Sequence, residues 1–79
     1  MPSSSLKPKP CPKRKRFGRN LAKLRTNAKL TQEKLAEKAG LTARYIQQIE
    51  AGDNWPSLPK LTKLRDVLKC SWEDLFSGL

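Results

Sequence analysis

Apolar residues recur every three or four positions through most of this chain, and short polar segments interrupt them. Such spacing gathers apolar side chains on one face of an α-helix. The pattern predicts a first helix that begins near residues 13–16 and ends at residues 27–29. Its apolar face is expected to consist of Phe17, Leu21, Leu24 and Ala28.

Two short helices are predicted next, separated by a tight turn. Thr31 is expected to cap the second helix and Thr42 the third, because a threonine hydroxyl accepts a hydrogen bond from a free backbone N–H. Gly40 is expected to end the second helix in a left-handed conformation, and Gly52 to end the third in the same way. The inward-facing residues are predicted to be Leu35, Ala36, Ala39, Tyr45, Ile46 and Ile49.

Two more helices complete the pattern. Ser57 is expected to cap the fourth, where Pro59 is acceptable because first-turn N–H groups have no helical partner. Residues 71–74 form a capping box that opens a short last helix. The apolar sides of these two helices are predicted to be Leu58, Leu61, Leu64, Val67 and Leu68, then Trp72, Leu75 and Phe76. Because no segment alternates like a strand, the sequence predicts a compact all-α domain of five helices.

Composition narrows the possible partners. The chain has 79 residues, enough for one domain with a small core. Its net charge of +10 indicates that its partner is nucleic acid or an anionic membrane surface. Residues 1–12 are rich in proline, serine and lysine and are predicted to be a disordered tail, so the domain is expected to span 13–79. Residues 1–16 contain no acid and six basic residues, Lys7, Lys9, Lys13, Arg14, Lys15 and Arg16.

Several classes of function are disfavoured. Cys11 and Cys70 are isolated and no histidine is present, so we expect reduced thiols, no metal and no cofactor. The chain shows no apolar signal segment and no run of about 20 apolar residues, so we expect a cytoplasmic protein without a membrane partner. We also expect no enzymatic activity, since paired carboxylates, a glycine-rich phosphate loop and an activated nucleophile are all missing from the sequence.

The second and third helices together have the pattern of a helix-turn-helix, in which the second helix of the pair lies in the DNA major groove. Arg44 is in the first turn of that helix, and its guanidinium suits guanine O6 and N7. Gln48 lies one turn later and suits adenine N6 and N7. Ala43 is small enough to approach a thymine methyl group, and Gln47 is a further exposed position. These four residues are the predicted base contacts.

Five blocks occur in order between about residues 16 and 76. They are Leu-Thr-Gln-Glu-Lys-Leu-Ala, Ala-Gly-Leu-Thr, Tyr-Ile-Gln-Gln-Ile-Glu-Ala-Gly, Pro-Ser-Leu and Trp-Glu-Asp-Leu-Phe. They resemble the phage repressor and Cro family, often called the XRE-type helix-turn-helix family. The resemblance implies a lambda-repressor-like fold and a DNA-binding regulator of transcription.

The resemblance also implies roles for individual residues. Gln32 matches a glutamine that binds a phosphate and braces the recognition helix, and Thr42 matches a residue that often contacts a phosphate. Free N–H groups at helix N-termini favour phosphate at both positions. Arg25 and Glu50 match residues that form a structural ion pair in some members.

The chain departs from the family pattern after the third helix. Members often have basic residues there, whereas this chain has Asp53 and Asn54. Either this loop stands back from DNA or Asn54 alone contacts a phosphate. The basic run Lys13–Arg16 is open to three interpretations, a solvated disordered segment, an arm that follows phosphates or enters the minor groove, or a nuclear-localisation patch. We expect all four of its residues to contact phosphates, because a polycation beside a duplex condenses onto it.

Two hypotheses for the function remain. The first is a sequence-specific transcriptional regulator that binds a short palindromic operator as a homodimer, with recognition helices about 34 Å apart. No inducer-binding domain is expected, which resembles small phage repressors and controller proteins of restriction–modification systems. The alternative is an antitoxin-type or other interaction module, which binds its own promoter and also a protein partner such as a toxin or RNA polymerase.

Overall fold

Five helices joined by short connections make up residues 12–79, the part of the chain that the computed structural model describes. They are α1 (Pro12–Asn27), α2 (Gln32–Ala39), α3 (Ala43–Glu50), α4 (Leu58–Leu68) and α5 (Trp72–Phe76). Residues 12–79 contain no strand, and the predicted all-α, five-helix class is confirmed. The predicted disordered tail, with Lys7, Lys9 and Cys11, lies outside the described residues apart from Pro12.

The first helix begins at Pro12, one residue before the predicted start of the domain. Proline is tolerated in a first helical turn, since its missing N–H would have no helical partner. Residues 13–16 are therefore helical, and their interpretation as a disordered segment is wrong. The whole of α1 contains seven basic residues and no acidic one.

The helix-turn-helix has the predicted caps at its joints. The hydroxyl of Thr31 accepts a 3.0 Å hydrogen bond from the N–H of Lys34, and the hydroxyl of Thr42 accepts one of 3.1 Å from Tyr45. Gly40 has a φ of +70°, which a residue with a side chain adopts only with strain. These features stop α2 and start α3 within three residues, so the two helices lie against each other.

The caps of the last two helices differ from each other. The hydroxyl of Ser71 accepts from the N–H of Asp74 at 3.0 Å, and the Asp74 carboxylate accepts from the N–H of Ser71 at 3.1 Å. The predicted capping box is thus confirmed. Ser57 is the N-cap residue of α4, as predicted, but its side chain makes no capping hydrogen bond.

The core lies at the centre of the five helices, and each helix contributes to it. Most of the predicted inward-facing residues are buried. The buried apolar residues are Phe17, Leu21, Leu35, Ala36, Ala39, Ile46, Ile49, Leu61, Leu64 and Leu75.

Three predicted core positions are wrong, and a fourth, Phe76, faces the core with its ring 5.4 Å from that of Phe17 but is only partly covered. Leu58, the first residue of α4, is 69% exposed, and Ala28 is exposed in the turn that follows α1. Trp72 and Phe76 expose 38% and 37% of their surface. The helix that carries them has five residues, and Leu75 is the buried one among them.

Tyr45 lies at the edge of the core instead of within it. Its side chain is half-buried, and the Lys60 ammonium lies 4.5 Å from the centre of its ring. Tyr45 therefore covers one flank of α3, while Ile46 and Ile49 anchor that helix.

A close crossing of α1 over α3 positions the third helix. Gly18 is buried, and a Cβ atom built on it would lie 2.5 Å from the carbonyl oxygens of both Ile49 and Glu50. Such distances are far below van der Waals contact, so the end of α3 can approach α1 this closely because residue 18 has no side chain.

Candidate nucleic-acid interface

The third helix presents one apolar face inward and one polar face outward. Ile46 and Ile49 are fully buried. On the other side Arg44 and Gln47 are exposed and Gln48 is half-buried. We call Ala43, Arg44, Gln47 and Gln48 the recognition surface. Its donors and acceptors match those displayed by base edges in a major groove.

Part of the recognition surface lines a shallow concavity. Arg44, Gln47 and Gln48 border it together with Ala51 and Asp53 from the segment after α3. Ala43 is half-buried and packs partly against the core. The structure thus brings three of the four predicted base contacts into one concave surface.

Asp53 was not predicted to adjoin this surface. Its backbone N–H donates to the carbonyl of Gln48 at 2.9 Å, so the chain folds back against the end of α3. Gly52 adopts a φ of +82°, which permits this reversal, and the glycine at this position was the signal available in the sequence. A carboxylate therefore stands beside the recognition surface, where it would repel a phosphate.

A network of three side chains braces the base of the recognition helix. The Arg25 Nε donates to Glu50 Oε2 at 2.7 Å, and Arg25 Nη2 to Glu50 Oε1 at 3.2 Å. Gln32 Nε2 donates to the same Oε1 at 2.9 Å. Arg25 Nη1 also donates to the carbonyl of Leu30 at 2.8 Å. The structure thus brings Arg25, Gln32 and Glu50 together, and joins α1, the start of α2 and the end of α3.

The residues outside α1 that are expected to contact phosphates have hydrogen-bond donors that are not used within the protein. An amide group has two N–H donors, and Gln32 uses one of them on Glu50. The Thr42 oxygen accepts from the N–H of Tyr45, which leaves the hydroxyl hydrogen to donate. Asn54 is exposed in the loop after α3.

The basic run at the start of α1 is divided between two parts of the molecule. Arg14 Nε donates to the carbonyl of Gly52 at 3.2 Å, and Lys15 packs against the same glycine, next to the end of α3. Arg16 Nε donates instead to the carbonyl of Ser77 at 3.3 Å, after α5. Lys13 is exposed. The two arginines therefore bind backbone carbonyls of this protein, and both lysines lie on the surface.

Other chemistry is sparse in residues 12–79. Burial, and secondly the Asp74 carboxylate, raise the pKa of the Cys70 thiol. No cluster of three or more cysteine, aspartate or glutamate residues that could hold a metal occurs in this part of the chain. None of its helices combines the length and the apolar character that a membrane crossing requires.

Two short helices at a tight turn, with a polar face on the second, define a helix-turn-helix domain. A profile of the helix-turn-helix family matches residues 21–75, and the chain belongs to this family. The matched region begins within α1 and ends within α5, so it includes the whole recognition surface and all three side chains of the bracing network.

Proteins of similar sequence carry the names of regulators. The chain is 36% identical over 62 residues to the SPbeta prophage-derived uncharacterized HTH-type transcriptional regulator YonR of Bacillus subtilis strain 168. It is 34% identical over 62 residues to the uncharacterized HTH-type transcriptional regulator YqaE of the same strain. The matches cover 78% of this chain but 57% and 53% of those proteins, so the chain spans little more than half their length.

A solved structure is also similar to this chain, and the match covers nearly the whole of that structure. It is the restriction–modification controller protein C.AhdI from Aeromonas hydrophila, with a TM-score of 0.76 and 36% sequence identity. The match covers 80% of this chain and 96% of that one. The fold of this chain is therefore similar to that of a restriction–modification controller protein.

Proposed function

We propose that this protein is a sequence-specific DNA-binding regulator of transcription, which inserts α3 into the major groove of a short operator and binds as a homodimer. The observation that carries the proposal is the orientation of α3. Two fully buried isoleucines hold the helix, and Arg44, Gln47 and Gln48 project from its other side into one open concavity. The regulators YonR and YqaE and the controller protein C.AhdI are similar to this chain, which supports the same function.

The base contacts follow from side-chain chemistry. Arg44 presents two parallel donors to guanine O6 and N7, and Gln48 presents a donor and an acceptor to adenine. Gln47 borders the same concavity and contacts an adjacent base edge. Ala43, at the start of the helix, approaches a thymine methyl group. Each bidentate pair discriminates against the wrong base by about 1–3 kcal/mol.

The phosphate contacts fix the register of the recognition helix. Gln32 offers its second amide hydrogen to a phosphate while the first stays on Glu50, so phosphate binding and the bracing network share one side chain. Thr42 and Asn54 contribute hydroxyl and amide donors. Lys13 and Lys15 supply mobile positive charge beside the duplex. Arg14 and Arg16 contribute through the guanidinium hydrogens that their backbone contacts leave free.

Selection of bound sites from random duplex DNA tests the proposal. The full chain should enrich a short site with half-sites whose centres lie about 10 base pairs apart. A variant that carries both Arg44→Ala and Gln48→Ala should lose the enriched positions, while its circular dichroism spectrum stays that of a helical protein. A selection with the unchanged protein that yields no sequence preference would overturn the proposal.

A further inference from the structure

A single carboxylate borders the recognition surface. Asp53 lines the concavity that also contains Arg44, Gln47 and Gln48. Asp53 is exposed, and in residues 12–79 no lysine or arginine nitrogen lies within 4.0 Å of its carboxylate. Arg44 is also exposed and forms no ion pair in that part of the chain. One surface therefore presents a positive and a negative group, and neither neutralises the other.

We propose that Asp53 is a specificity-determining residue, which accepts a hydrogen bond from the exocyclic amine of a cytosine in the operator. The inference rests on the proposed function, since it adds a base contact to the same interface. In the major groove the N4 amine of cytosine is a donor, and aspartate is one of the two side chains that suit it. Arg44 offers donors alone, and each glutamine offers a donor and an acceptor. Asp53 thus supplies the acceptor-only group that the recognition surface lacks.

The backbone of Asp53 is fixed at the end of α3. Its N–H donates to the carbonyl of Gln48 at 2.9 Å. The preceding residue, Gly52, is buried, and its carbonyl accepts from Arg14 Nε at 3.2 Å. A Cβ atom on Gly52 would lie 2.6 Å from the Lys15 Cγ, so α1 packs directly on this turn. A fixed backbone favours base readout, because less conformational freedom is lost when the contact forms.

A phosphate is an unfavourable partner for this carboxylate. Like charges repel, so a complex that places a phosphate in the concavity beside Asp53 is disfavoured. The amine of a base presents the opposite polarity to the same oxygen atoms. Asp53 therefore favours complexes in which base edges fill the concavity over complexes held by phosphates alone. Binding to random DNA is of the second kind.

Asp53 and Arg44 lie near opposite ends of the recognition helix. Arg44 is in the first turn of α3, and Asp53 comes after Glu50, the last residue of that helix. A helix of 8 residues rises about 12 Å, whereas successive base pairs are about 3.4 Å apart. The two side chains therefore face different base pairs, a guanine for Arg44 and a cytosine for Asp53.

Asp53→Ala tests the inference on the operator that the unchanged full chain selects from random DNA. Fluorescence anisotropy measures binding to that operator, to operators with one base pair changed and to a random duplex. The variant should bind the operator about tenfold more weakly and accept any base pair at one position where the unchanged protein prefers cytosine. Arg44→Ala should relax a different position. The Asp53 variant should bind random DNA more tightly, because a repulsive charge is gone.

Asp53→Asn separates the hydrogen bond from the charge. The amide oxygen still accepts from cytosine, and the amide N–H groups donate to acceptors on other bases. This variant should therefore keep cytosine as one of several accepted bases at the position that Asp53→Ala relaxes completely. Its binding to random DNA should match that of Asp53→Ala, since both variants lack the carboxylate charge.

Asp66→Ala is the matched control. Asp66 is exposed on α4 and borders a different concavity, so the variant removes one negative charge away from the recognition surface. It should change binding to the operator and to random DNA by the same factor and relax no base pair. Circular dichroism should show that all of these variants remain helical.

Two results would overturn the inference while the proposed function stands. One is an Asp53→Ala protein that keeps every base preference of the unchanged chain. The other is an equal change in binding to the operator and to random DNA, which would make Asp53 a repulsive charge and not a base contact. An unchanged chain that selects no sequence would overturn the proposed function, and this inference with it.

Discussion

The carboxylate of Glu50, the last residue of α3, receives the guanidinium of Arg25 from α1 through hydrogen bonds of 2.7 and 3.2 Å. Both side chains are largely buried, with 8% and 15% of their surface exposed. The pair therefore joins the recognition helix to the helix behind it. Because Gln32 donates to the same carboxylate, the ion pair also positions a residue expected to bind phosphate.

Breaking this pair should destabilise the fold. Arg25→Met or Glu50→Gln leaves the other group buried without its partner, which should lower the free energy of unfolding by about 2–4 kcal/mol. The double variant should lose less than the sum of the two, as measured by urea unfolding in a double-mutant cycle. The exposed pair Lys34 and Glu37 is the control and should couple by less than about 0.5 kcal/mol. Strictly additive losses at Arg25 and Glu50 would contradict the role of the pair.

Gly18→Ala should lower stability, although alanine is the better helix former. Propensity alone predicts a gain of about 1 kcal/mol for this change. The added Cβ would lie 2.5 Å from two backbone carbonyl oxygens of α3, and such overpacking typically costs about 1–3 kcal/mol. Urea unfolding distinguishes the propensity effect from the overpacking effect by the sign of the change in the free energy of unfolding. Ala22→Gly, also within α1, measures the propensity effect for comparison.

Arg44→Ala should weaken binding to the selected operator by about 1–3 kcal/mol and relax the preference at one base pair. Binding to random DNA should weaken less, because base contacts are absent there. Fluorescence anisotropy with both duplexes measures the difference. Arg19→Ala removes the same charge from the exposed side of α1 and should leave the preference unchanged. If Arg44→Ala weakens binding to the operator and to random DNA equally, Arg44 contacts a phosphate and not a base.

Removing both exposed lysines at the start of α1 should reduce the salt dependence of DNA binding. Each phosphate that a lysine neutralises contributes about 0.9 to the slope of log K against log salt. Lys13→Ala combined with Lys15→Ala should lower that slope by about 1–2 per protomer and keep the base preference. Lys38→Ala with Lys63→Ala removes two charges that border a different concavity. If the second pair changes the slope as much as the first, the start of α1 has no special role.

The spacing of apolar residues and the capping residues are sufficient to predict the five helices and most of their core. Their periodicity identifies Leu35, Ile46 and Leu64 as buried, and Thr31 and Thr42 mark two helix starts. These features are local, since each depends on spacing within one turn or on a cap beside its own helix. The recognition surface is predictable for the same reason, because it is the side of α3 opposite its apolar stripe.

Which surfaces meet depends on contacts between residues far apart in the chain, and these follow from the packing of the helices. Gly18 looks like a weak helix former until α3 lies across it, and Asp53 looks like a loop residue until the chain folds back beside Gln48. Trp72 and Phe76 have the spacing of core residues but remain about two-fifths exposed, although the Phe76 ring packs on the buried ring of Phe17, because no further element covers their outer sides in residues 12–79. Periodicity states which side of a helix is apolar, whereas burial also requires a neighbouring element large enough to cover that side.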